Sequence, residues 1–149
     1  STGTWLTMDC DIYVEVHGAA PWLRKLCELR NVEELRSEWW GVLKDFAGPR
    51  VTFLLDLSGN EKTPLLNRCE ADKSGKVKIT LWGGSESYPF VELIIPMLLS
   101  SGCNGIEAQV YTDECEYLED DDQEDRVHRL GTKFYVEDNV VRSRDCIEQ

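Results

Sequence analysis

Between Asp113 and Asp125, nine of thirteen residues carry a carboxylate and none is Lys or Arg. They are Asp113, Glu114, Glu116, Glu119, Asp120, Asp121, Asp122, Glu124 and Asp125. The chain's net charge is −12, so this stretch carries about three quarters of it, and the other 19 acids face 16 basic residues. The acidity is therefore local. Two chemistries suit so dense a row of carboxylates. The first is a divalent cation site, but a calcium loop alternates its acids and needs Gly at the sharp turn. Asp120, Asp121 and Asp122 are adjacent and no Gly follows, so no metal site is expected there. The second is recognition of a basic protein surface, whose Arg and Lys would form charge-assisted hydrogen bonds with the acids. The plainer alternative is a solvated insertion, extended by its own repulsion. Tyr111, Cys115, Tyr117 and Leu118 lie among the acids, which predicts that part of the segment packs.

Other candidate chemistry is thinner. Asp9 and Asp11 alternate on one strand, about 7 Å apart on the same face. With Asp56, at the end of the run VTFLLDL, they define a metal-dependent enzyme as the alternative reading. His17 and His128 are the sole histidines. Cys10 and His17 lie seven positions apart on one strand, about 23 Å from each other and on opposite faces, too far to act as a nucleophile and base. Cys115 and His128 lack a visible third partner. A Walker A loop is absent, because Glu70 stands where the first Gly is required and Val77 where Ser or Thr is required. Gly83-Gly84-Ser85 reads as a tight turn with Ser85 or Ser87 capping the next helix. Trp40 sits one step off a helical apolar stripe, so it is a candidate partner anchor or a point of self-association. No residue set calls for a cofactor.

These groups need a scaffold, and the composition supplies one. A chain of 149 residues with 42% hydrophobic content reads as one domain over 1–149 with a core of its own. Its low pI argues against direct nucleic-acid binding and against docking on anionic lipid. The start, Ser-Thr-Gly-Thr-Trp-Leu-Thr, has neither the basic nor the apolar region of a signal peptide. The longest apolar run, Phe90 to Leu99, contains Glu92 and Pro96 and falls short of the roughly 20 residues a membrane span needs. Six cysteines without C-x-x-C spacing read as reduced, buried thiols of a cytoplasmic protein.

Met8 to His17 alternates, with Ile12, Val14 and Val16 on one face, and reads as a strand with one covered face. Pro21 suits a helix start. Asn31, with Glu34 three residues on, caps a second helix whose apolar stripe is Val32, Leu35, Trp39, Val42 and Phe46. Val51 to Leu57 reads as a central strand buried on both faces. A polar connection from Ser58 to Gly75 follows, with a short helix over Pro64 to Cys69. Val77, Ile79 and Leu81 mark another strand, Ser87 to Ser101 an apolar helix, and Ile106 to Thr112 a further strand. Thr132 to Arg142 reads as a hairpin turning at Asp138-Asn139, placed after the acidic segment 113–125.

The order strand-helix-strand-strand-helix-strand predicts an α+β ferredoxin-like sandwich, mainly antiparallel, with helices on one face and a C-terminal hairpin. On it the acidic segment and Trp40 predict a non-enzymatic binding protein. Its partner would be a basic surface on a toxin or a nucleic-acid-handling enzyme, making the protein an immunity-type or phage anti-defence-type inhibitor, with nucleic-acid mimicry as one way for it to act.

Overall fold

The computed structural model describes residues 4–50, 64–84, 88–118 and 121–146; for 4–8, 113–118 and 121–127 it is the backbone that is described. The fold is α+β, an open six-stranded antiparallel sheet with three helices among the described residues. The first strand, β1 (Thr4–His17), holds its centre. Ile12, Val14 and Val16 are buried while Asp11, Tyr13 and Glu15 stay half-buried. This is the alternation expected of a strand with one covered face, begun earlier than Met8.

Helix α1 (Pro21–Glu28) starts on its proline and buries Leu23 and Leu26. Helix α2 (Val32–Ala47) is capped as its sequence indicates: Asn31 Oδ1 accepts the Glu34 N–H at 3.0 Å. Its buried stripe differs from the expected one. Leu35, Trp39, Leu43 and Ala47 are buried, whereas Val32 is 46% exposed and Val42 and Phe46 only half-buried. Residues four apart superpose on one face of a helix, and the run from Leu35 follows that spacing. The Trp39 indole N–H donates to the Pro64 carbonyl at 3.2 Å, joining the middle of α2 to the start of the next strand.

That strand, β2 (Leu65–Ala71), replaces the short helix expected over Pro64 to Cys69. It pairs with β3 (Val77–Gly84) across a turn organised by Asp72. The Asp72 carboxylate accepts from the Ser74 hydroxyl (2.6 Å), the Ser74 N–H (2.8 Å) and the Lys76 N–H (3.1 Å). These bonds, the Ser74 hydroxyl first, hold its carboxyl below the ordinary value. Helix α3 (Tyr88–Ser100) buries Phe90, Val91, Leu93, Ile94, Ile95, Met97 and Leu98 despite Pro96 in its interior. So apolar a helix must be largely enclosed: α3 touches α2, β4 and β6, and Tyr88, Glu92 and Ser100 form its exposed side. No helix among the described residues is long and apolar enough to cross a membrane. The strand expected over Val51–Leu57 and the caps at Ser85 or Ser87 lie outside the described residues.

The remaining strands are β4 (Asn104–Leu118), β5 (Asp121–Glu137) and β6 (Val140–Asp145), and the sheet order is β2-β3-β1-β4-β5-β6. The β5–β6 turn falls at Asp138-Asn139 as its sequence indicates, with φ of 53° and 61°. Two successive positive φ values define the turn whose twist matches paired strands. Where β1 ends beside the start of β4, Gly18 and Gly105 have φ of 62° and 58°. A Cβ on Gly18 would stand 2.6 Å from Asn104 Nδ2, and one on Gly105 would stand 2.9 Å from the His17 ring. Both positions favour glycine for conformation, and a larger residue would also push the Asn104 or His17 side chain aside. Side chains from all three helices and from the strands join one buried apolar cluster.

Candidate functional site

The acidic residues lie on strands. Asp113, Glu114 and Glu116 belong to β4, and Asp121, Asp122, Glu124 and Asp125 to β5; Glu119 and Asp120 fall outside the described residues. The two strands run antiparallel, with Tyr117 opposite Glu124, Glu116 opposite Asp125 and Asp113 opposite His128, and beyond a register shift Leu118 opposite Asp121. On its other side this part of β4 pairs with the start of β1, from Thr4 opposite Leu118 to Asp9 opposite Asp113. β3 accompanies β1 only from Cys10 onward. Among the described residues the acids are thus carried on a three-stranded arm of β1, β4 and β5. On the arm two register pairs set acid against acid, Glu116 with Asp125 and Asp9 with Asp113, and a third, Glu15 with Glu107, lies in the body of the sheet. Like charges directly opposite one another destabilise a sheet.

The register of the arm passes through a break. Thr132 pairs with Val110 but Leu130 pairs with Tyr111, leaving Gly131 as an extra residue on β5. Such a bulge re-aims the chain beyond it. The Gly131 carbonyl accepts the Cys146 N–H at 2.8 Å, so the bulge is bonded from the chain end. Next to it Thr132, 2% exposed, bonds to the Tyr88 hydroxyl at 2.6 Å, tying α3 to β5. Just past the bulge the exposed His128 ring stacks on Tyr111, centroids 4.8 Å apart and planes within 2°. Tyr13 meets Tyr111 edge-on at 5.2 Å. Burial, then the nearby Asp11 charge, then Tyr111 push the Tyr13 phenol above its ordinary value. Tyr13, Tyr111 and His128 thus form a partly exposed aromatic row across β1, β4 and β5 at the root of the arm. Sequence reasoning missed it. The available signal was the alternation of Tyr13 opposite the buried positions of β1; the pairing of β1 with β4 was not legible.

Of the other candidates, Asp9 is exposed and Asp11 half-buried, and Asp56 lies outside the described residues. Among the described residues no group of three His, Cys, Asp or Glu side chains is arranged to hold a metal ion. Cys10 is buried while His17, at the far end of β1, is exposed beside Gly105. Cys115 pairs with Arg126, two positions along β5 from His128. Trp40 is half-buried and packs against the core, beside the stripe rather than standing clear of it. Away from the arm, a cleft of about 680 Å³ is lined by Glu107, Gln109, Lys133, Tyr135 and Arg144 among others. Gln109, Lys133 and Arg144 are register partners across β4, β5 and β6, so its wall mixes charges where the arm is acidic.

The architecture defines the class of protein, an α+β domain with an open antiparallel sheet and an acidic strand arm. Beyond that class, the chain matches no protein-family model, no curated protein and no solved structure. Its geometry and chemistry are what bear on function.

Proposed function

We propose that this is a non-enzymatic binding protein that presents the acidic arm to a basic surface of another protein. An inhibitor of a toxin or of a nucleic-acid-handling enzyme would work this way. The observation that carries the reading is the register that sets Glu116 opposite Asp125 and Asp9 opposite Asp113. Repulsion in such pairs works against the fold, and a cationic partner relieves it. Spacing supports the same conclusion. A strand advances about 3.4 Å per residue with side chains alternating between its faces, so acids on one face recur about every 6.8 Å, two phosphate steps along one strand of DNA. Neighbouring strands of the arm add further rows of acids, the basis for reading the arm as a nucleic-acid mimic. The aromatic row at the root of the arm adds faces on which partner guanidinium groups stack.

The core beneath the arm we read as a ferredoxin-like sandwich with its helices on one face. The order β2-β3-β1-β4 with antiparallel pairing throughout, and the single apolar cluster, support this.

The test is binding of a fluorescent Arg-rich peptide, and of candidate basic enzymes, at several salt concentrations. Exchanging Asp120, Asp121 and Asp122 together for Asn should weaken binding about tenfold or more and flatten its salt dependence. Tyr111→Ala should weaken it further without changing that slope. Binding that is indifferent to salt and to the triple exchange would overturn the proposal.

A further inference from the structure

Cys27 and Cys69 are 42 positions apart in sequence, yet their sulfurs are 3.5 Å apart in the fold. Cys27 occupies the last turn of α1 and is half-buried; Cys69 lies on β2 and is buried. Neither is bonded to another cysteine. Among the described residues β2 ends the sheet, with β3 on one side and helices α1 and α2 packed nearby. Arg36 of α2 already reaches this strand, donating to the Leu66 carbonyl at 3.1 Å and to the Asn67 side chain at 2.8 Å. The contact between the two thiols is itself a hydrogen bond that links α1 to β2.

We propose that Cys27 and Cys69 are a disulfide-forming site that fastens α1 to β2 when the protein meets a low-molecular-weight disulfide. A disulfide bond is about 2.05 Å long, so closure brings the sulfurs about 1.5 Å nearer, a movement that side-chain rotation and a small helix shift supply. The more exposed Cys27 reacts first. Its thiolate attacks one sulfur of oxidised glutathione, forming a mixed disulfide and releasing one glutathione thiolate, which takes up a proton. Cys69, having lost its own proton, then attacks the Cys27 sulfur and releases the second glutathione. The protein loses two hydrogens and two electrons, and both electrons end on the two glutathione thiols.

Burial is the main force raising both thiols above their ordinary values. The thiolate is the reactive form, so exchange is slow near neutrality and accelerates about tenfold per pH unit below the thiol's own value. The closed form should be markedly more stable. A cross-link between residues so distant in sequence restricts the unfolded chain strongly, and a rise in Tm of about 10 °C is expected.

The experiment treats the full chain, dilute and folded, with oxidised glutathione at pH 7, 8 and 9, followed by alkylation, mass measurement and a non-reducing peptide map. A peptide joining Cys27 to Cys69, a mass lower by two hydrogens, a rate that climbs with pH and a Tm increase reversed by reductant bear the proposal out. Cys27→Ala should form no such link, and its Tm should not respond to the oxidant. The proposal is overturned if the wild-type chain keeps both thiols alkylatable, if Cys27 stops at the mixed disulfide, or if the link joins other cysteines.

Discussion

Trp39 shows how one side chain carries both packing and polar bookkeeping. It is 1% exposed and fills the centre of the α2 stripe, and its indole N–H satisfies the buried Pro64 carbonyl at 3.2 Å. Removing the ring leaves a large cavity, and truncations of that size cost about 3–5 kcal/mol. Trp39→Ala should therefore consume much of a stability that for a domain of this kind is about 5–15 kcal/mol. Trp39→Phe keeps most of the apolar volume but strands the carbonyl, at a cost of about 1–3 kcal/mol. Urea unfolding of the two variants separates the contributions. A Phe variant as unstable as the Ala variant would show that the hydrogen bond, not the ring volume, dominates at this position.

At the scale of elements, the β5–β6 hairpin offers the sharpest test of local geometry. Asp138 and Asn139 both hold positive φ, a conformation that glycine adopts freely. Asn139→Gly should stabilise the protein by about 0.5 kcal/mol, and Asn139→Val should destabilise it by about 1–2 kcal/mol because a β-branched residue resists this region. Thermal melting reads both, and equal effects would rule out the turn geometry. This turn was legible in the sequence, as were the Asn31 cap and the alternation of β1, because each rests on residues adjacent in the chain. β2 was not. Its burial runs half-buried, buried, exposed, exposed, buried, with a register break between Leu66 and Arg68, so the two-residue period that marks a strand is lost. The acidic strands were hidden for a different reason. Asp and Glu disfavour strands locally, and the pairing of β4 with β1 that helps override this preference joins residues about a hundred positions apart. The aromatic row was lost with that pairing.

For the molecule as a whole, the consequence is a surface of two characters. Acids on the arm sit at strand spacing, about 4.7–4.9 Å between chains, well inside a Debye length of about 8 Å at physiological ionic strength. They act as one field, while the rest of the chain is close to neutral, with 19 acids against 16 basic residues. A field of this kind steers a basic partner from a distance and strains its own scaffold. The two effects separate experimentally. Exchanging Glu116→Gln and Asp125→Asn together removes one opposed pair while preserving size and hydrogen-bonding capacity. Relief of the repulsion is worth about 0.5–1 kcal/mol at low salt, which corresponds to a rise in Tm of about 2–3 °C. The difference should shrink as salt screens the wild-type pair. The same variant should bind the Arg-rich peptide more weakly. Stability that rises while binding falls is the signature of charge retained for recognition; if both fall together, the acids serve the hairpin itself and the arm is a structural element.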